Sequence, residues 1–158
     1  MSGGLPDILI DDVSGCCHGA KRALAQVWKY LDRKAMDMDG IDTRMLAGVS
    51  VPATPLVDGA IEYDRQKCEP YLFNHFVHSW LFATRIGQLQ NIEHDAEVVA
   101  VGALLHDITL NESFVGPRRF EVKGAVLARS FAREGGFDER RAQLIWDSVA
   151  LDRPLQGG

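Results

Sequence analysis

The chain lacks most of the features that would take it out of the ordinary globular class. None of its apolar stretches approaches the ~20 residues that a membrane-spanning helix needs. Its start has no basic segment followed by an apolar core, so no secretory signal is read there. Three cysteines among 158 residues are an odd number and too few for a disulfide scaffold, which points to a reducing compartment. Positive charge is in deficit: 17 Lys and Arg against 22 Asp and Glu leave a formal charge of −5, the wrong sign for neutralising phosphates along a nucleic acid. Internal repeats, low-complexity tracts and convincing strands are also missing. The expectation is a cytoplasmic protein with neither nucleic acid nor membrane as a partner.

What is present suits a single helical domain. The apolar share of 46% beside 25% charged residues is ordinary for a folded soluble chain. A chain this long buries about two thirds of the surface its unfolded form exposes. Residues 1–18 mix Gly, Asp and Pro and read as a poorly ordered N-terminal arm, leaving 19–158 as the domain. Helical spacing begins with Ala20, Leu24, Val27 and Leu31. Cys16-Cys17-His18 lacks the ligand spacing of a zinc finger. Asp37-Met38-Asp39-Gly40 fails as a calcium loop, because aligning Gly40 with the loop glycine puts Leu46 where a bidentate glutamate belongs. It reads as a solvated turn.

Further along, Val51 to Pro55 reads as extended or turned, since each proline pushes its predecessor away from helical angles. A short helix over about Leu56–Gln66 follows. Pro70 then suits a first helical turn, and the stretch to Gln90 is apolar almost all round, so it is expected to be the central helix. Its polar exceptions are His75, His78 and Arg85. Another helix is expected from Phe120 to Glu134, with Phe120, Gly124, Leu127 or Ala128, and Phe131 inward, stopped by Gly135-Gly136. The last helix starts after Asp138 and buries Ala142, Ile145, Trp146, Val149 and Ala150, with Asp152 continuing that face before Pro154 ends it. This helix is expected to pack on the His75 helix and turn Asp152 toward the same cavity.

The stretch with the most chemistry is Ala103-Leu104-Leu105-His106-Asp107-Ile108-Thr109-Leu110. Asp95 is placed to cap the preceding helix, and Glu97 adds negative charge in its first turn, where the macrodipole favours it. Val98, Val101, Leu104, Leu105 and Ile108 recur at three- and four-residue steps, so the helix is mostly buried. Its last full turn is expected to carry His106 and Asp107 into that apolar setting. A buried imidazole and carboxylate need a counter-charge or a metal.

These residues, together with five ordered blocks, resemble the HD-domain metalloprotein superfamily, and most closely its cyanamide hydratase-like branch. The blocks are Thr54-Pro55-Leu56, Tyr71-Leu72-Phe73-Asn74-His75, Leu104 to Ile108, Arg119 to Ala125, and Trp146 to Leu151, spanning roughly residues 50 to 152. The resemblance implies an all-α fold, an HD-domain-like orthogonal helical bundle of about six helices. It implies His75, His106 and Asp107 as metal ligands, with His106 and Asp107 catalytic. The cofactor would be one divalent transition metal, with zinc favoured and iron or manganese compatible with the same donors. Asn74, His78, Arg119, Glu121 and Asp152 would line the substrate pocket, and Arg118 borders it. The implied function is a metal-dependent hydrolase or hydro-lyase acting on a small polar molecule, a cyanamide- or nitrile-like substrate ahead of a phosphate ester.

Three departures from the family pattern set a competing expectation. Relatives usually continue with Ala-Leu-His where this chain has Ala150-Leu151-Asp152, and they commonly have arginine at the position of His78. The family's final metal-binding aspartate belongs to a later helix, and this sequence stops at Gly158, short of it. Asp152 is the candidate substitute for that ligand, and without it activity is expected to be weak. The competing function is a degenerate, non-catalytic helical module that binds a partner or small ligand. Apolar surface left uncovered by the missing helix leaves room for a homo-oligomer.

Overall fold

The computed structural model describes residues 41–110 and 120–150. The N-terminal arm, the helix expected from Gly19, the Cys16-Cys17-His18 run, nearly all of the Asp37–Asp42 turn, Arg118, Arg119, Asp152 and Pro154 lie outside them. Within them the protein is mainly helical, with one small antiparallel hairpin. No helix among the described residues is long and apolar enough to cross a membrane.

The hairpin corrects the expectation that the chain has no strand. Strand β1 (Thr43–Leu46) pairs with β2 (Val49–Pro52), Leu46 opposite Val49 and Thr43 opposite Pro52. Ala47 and Gly48 both take positive φ, as the tight two-residue turn requires. Val49 and Val51 turn inward and β1 stays half-solvated, so the strand signal is confined to four residues.

Helix α1 (Pro55–Lys67) begins where Thr54 accepts from the Val57 amide, and Pro55 occupies its first turn. Its buried stripe is Leu56, Val57, Ala60, Ile61 and, less expectedly, Asp64. Helix α2 (Pro70–Gln90) runs from Pro70 to a left-handed Asn91 cap. Helix α3 (Ala96–Leu105) is capped by Asp95, whose Oδ1 accepts from the Val98 amide at 3.1 Å. A short 3-10 turn (Ile108–Leu110) follows, then α4 (Phe120–Glu134) and α5 (Glu139–Ala150). Helix α4 ends at Gly136, whose φ of +95° lets Phe137 fold back and donate to the Ala132 carbonyl.

The central helix is α3, not α2. Every residue of α3 except Ala103 is buried, whereas α2 turns Tyr71, Phe82 and Leu89 to solvent. Helices α1, α2 and α5 pack on α3, with β2 and α4 completing the enclosure. Length explains the difference: ten residues fit inside a ring of neighbours, and twenty-one cannot be covered on all sides.

The stripe on α5 also packs elsewhere than expected. Its main partners are α4 and α3 rather than the His75 helix. Small residues set that approach: a Cβ built on Gly102 would meet Ser148 Oγ at 2.9 Å, and one on Gly124 would meet Val149 Cγ1 at 3.4 Å. The inward face of α4 is Glu121, Gly124, Ala125, Ala128 and Ala132, with Leu127 and Phe131 only half-buried. A wall of alanines lets the two helices lie close, which bulky side chains there would prevent.

Candidate metal centre

Helix α3 stops at Leu105, one residue earlier than the apolar pattern implies. His106 is its C-terminal cap and Asp107 belongs to the turn beyond, so the pair sits on the helix end rather than within its last turn. The helix end matters chemically. Its last carbonyls have no intrahelical partner, and the negative end of the dipole favours a cation. His106 Nδ1 lies 2.7 Å from the Ala103 carbonyl. A carbonyl only accepts, so Nδ1 carries a proton and Nε2 is the ring nitrogen turned toward Asp107 and a prospective metal.

That Nε2 faces Asp107 Oδ2 at 3.2 Å. In the neutral ring both are lone-pair atoms, and two acceptors repel at that distance unless a proton or a cation answers them. His75 comes from the second turn of α2, its ring centroid 5.6 Å from that of His106. Fully buried Phe76 supports the arrangement, its ring edge-on to His106 at 5.3 Å. One ligand atom from each of His75, His106 and Asp107 lies within 4.8 Å of the other two. Two imidazoles and a carboxylate from two different helices thus converge on one point.

The electrostatics keep these groups in ligating form. Burial, then the neighbouring His106, lowers the proton affinity of His75; Asp107 raises it and His78 lowers it again, with a net fall below the usual histidine value. His75 is therefore neutral near pH 7 and presents a lone pair. Burial pushes the Asp107 carboxyl up, but in the metal-free protein a proton on His106 Nε2, donated to Asp107, and the charge of the nearby imidazoles outweigh this and hold it below the usual aspartate value. Asp107 is a carboxylate at neutral pH.

The pocket residues named from sequence divide three ways. His78 lies one turn beyond His75 and is half-buried, while Asn74 is exposed. Glu121 is buried on the first turn of α4, one turn before Gly124, where a Cβ would meet the His106 carbonyl oxygen at 3.3 Å and Thr109 Oγ1 at 3.5 Å. Arg119 and Asp152 lie outside the described residues.

Asp64 was not among the residues named from sequence. It is 0% exposed on α1, and neither carboxylate oxygen has a hydrogen-bond partner. Burial raises its pKa to about 8, against the opposing pull of His106. The signal was in the spacing: Val57, Ala60, Ile61 and Asp64 form one apolar stripe with a carboxylate in it. No known protein family, curated protein or solved structure matches the chain.

Proposed function

We propose that His75, His106 and Asp107 hold one divalent transition metal and that the protein is a metal-dependent hydro-lyase or hydrolase of the HD type. The observation that carries this reading is the convergence of three donor atoms within 4.8 Å, with His106 Nε2 and Asp107 Oδ2 facing each other at 3.2 Å, a contact that either a proton or a metal ion makes attractive. Two nitrogens and one oxygen suit zinc, iron or manganese alike, with zinc favoured by the likeness to the cyanamide hydratase branch. A metal bound there supplies Lewis acidity and makes water a nucleophile near neutral pH.

The chain's own residues set what is bound. Asp107, the buried Glu121 and, once a dication is bound, Asp64 put carboxylates around the centre, enough to offset the metal's own charge. A phosphate ester would bring further negative charge into that setting, whereas a neutral nitrile would not. Hydration of cyanamide adds water across the carbon–nitrogen triple bond: oxygen bonds to carbon, both protons end on the product, and no group leaves. Glu121 accepts from the substrate amine in this reading, and His78 at the rim helps to exclude solvent. The Ala103 carbonyl holds the His106 ring with Nε2 toward the reacting centre.

The test is metal content after purification without added metal, followed by turnover. Unaltered protein should carry close to one equivalent, and His75→Ala, His106→Ala and Asp107→Ala should each lower it at least tenfold. Cyanamide should yield urea faster than a phenyl phosphate ester is cleaved. Equal, near-stoichiometric metal in all four proteins would end the assignment.

A further inference from the structure

Resting on that reading, we propose that Asp64 is a fourth charged member of the centre, a positioning residue that balances the bound dication and sets how tightly it is held. A dication on two neutral imidazoles and one carboxylate leaves an uncompensated positive charge in a largely apolar setting. Asp64 is a fully buried carboxyl on a third helix, α1, packed along α3, and its charge and that of His106 act on each other. It is not one of the three mutually close donors, so its action is through space or through an intervening water rather than by direct ligation.

The unmet hydrogen-bonding capacity of Asp64 is the second observation. A carboxyl with both oxygens buried and unpaired costs stability, and helices ordinarily avoid it. Tyr63 on the same helix and Cys68 at its C-terminal cap feel its charge, and both are held above their usual proton affinities, by burial first and then by Asp64. Neither offers Asp64 a cation. Among the described residues, the cation-forming group whose charge bears on Asp64 is His106.

The proton balance is simple. In the metal-free protein Asp64 keeps its proton at pH 7; when the dication enters, the O–H bond breaks, the electron pair stays on the carboxylate and the proton leaves to solvent. Metal binding should then release about one proton more from the unaltered protein than from a variant with no carboxyl at 64.

The experiment uses the full chain stripped by a chelator, with zinc alone as the probe. Affinity is read by competition with a chelating dye, and proton release by calorimetry at pH 7 in two buffers of different ionisation enthalpy. Asp64→Asn, nearly the same shape, should bind zinc at least tenfold more weakly and release about one proton fewer. Asp64→Ala should do the same, which guards against an effect of the amide. Circular dichroism of the metal-free variants checks that each is folded, and a purely structural residue would leave the proton count unchanged. Zinc binding by both variants within twofold of the unaltered protein, with the same proton count, overturns the proposal while leaving the three-ligand site standing. Binding by the unaltered protein no tighter than by His106→Ala removes the three-ligand site, and this proposal with it.

Discussion

At the N-terminal end of α3, Asp95 and Glu97 meet Arg141 of α5 through three hydrogen bonds of 2.7 to 2.8 Å. At its C-terminal end His106 and Asp107 stand 3.2 Å apart, with Asp64 buried and unpaired on the neighbouring helix. Both ends place charge where water is scarce; among the described residues the first pairs its carboxylates with an arginine, whereas Asp64 beside the second has no hydrogen-bond partner. Arg141 also lies over the Phe137 ring, its guanidinium carbon 3.6 Å from the centroid. Burial works to lower the Arg141 pKa, but the hydrogen bonds to Asp95 and Glu97 outweigh it and hold it above its ordinary value. The closed end fixes how α5 docks. In the proposed reading the open end keeps its charges for a metal ion, the arrangement expected where stability is given up for binding.

The largest effect should come from breaking the closed end. Arg141→Ala strands two nearly buried carboxylates, a change that costs about 3 kcal/mol or more. Urea unfolding should show the midpoint falling accordingly. A loss no greater than that of an exposed pair, about 0.5 kcal/mol, would mean the two ends differ less than their geometry implies.

The open end should reveal itself through pH in the metal-free protein. Asp64 keeps its proton in the folded state up to about pH 8, while in the unfolded chain it loses it near the ordinary value of ~3.9. Across that window the folded state holds the extra proton, so stability falls as pH rises and levels off above the folded value. His75 acts with the opposite sign, its lowered pKa removing stability as pH falls below ~6.5. Between about pH 6.5 and 8 the Asp64 contribution is isolated and amounts to about 2 kcal/mol. Denaturation of chelator-treated protein should show this decline, and Asp64→Asn should flatten it. Parallel slopes in the two proteins would place the Asp64 pKa near its ordinary value.

A smaller effect concerns what holds the open end in place. Gly124→Ala pushes a methyl within 3.3 Å of the His106 carbonyl, and should cost about 1 kcal/mol. Gly59→Ala, whose methyl meets the Phe131 ring at an ordinary 3.5 Å, should be neutral or stabilising by up to about 1 kcal/mol through helix propensity. Thermal melts of the two variants should shift in opposite directions, and only Gly124→Ala should also weaken zinc binding.

The helices were legible because their punctuation is local. Pro55, Pro70, Asp95, Asp138 and Gly136 each act within one turn of where they stand, and the structure starts or stops helices beside them. The convergence of His75 with His106 and Asp107 was legible only through the order of motif blocks, since nothing in the spacing alone brings α2 to the end of α3. The hairpin was hidden by Ala47, which takes a left-handed conformation that Asn or Asp usually advertises. The ranking of α2 over α3 as the central helix failed because apolar composition cannot tell a wholly enclosed helix from one with an exposed apolar row. Arg141 was unreadable in advance because its partners lie more than forty residues away.

The enclosure of α3 has a consequence for how the protein moves. Ten residues are too few for a stable isolated helix, and Val98, Val99 and Val101 are poor helix formers. The segment therefore owes its helix to the surrounding elements and has little reason to form before they gather. Its amides should exchange with solvent hydrogen only when the whole fold opens, while the exposed side of α2 opens locally and often. On this expectation His106 and Asp107 stand at the end of a slowly exchanging segment, and His75 on the helix with the more exposed face. Entry and exit at the site would then be governed by α2, moving against a fixed floor.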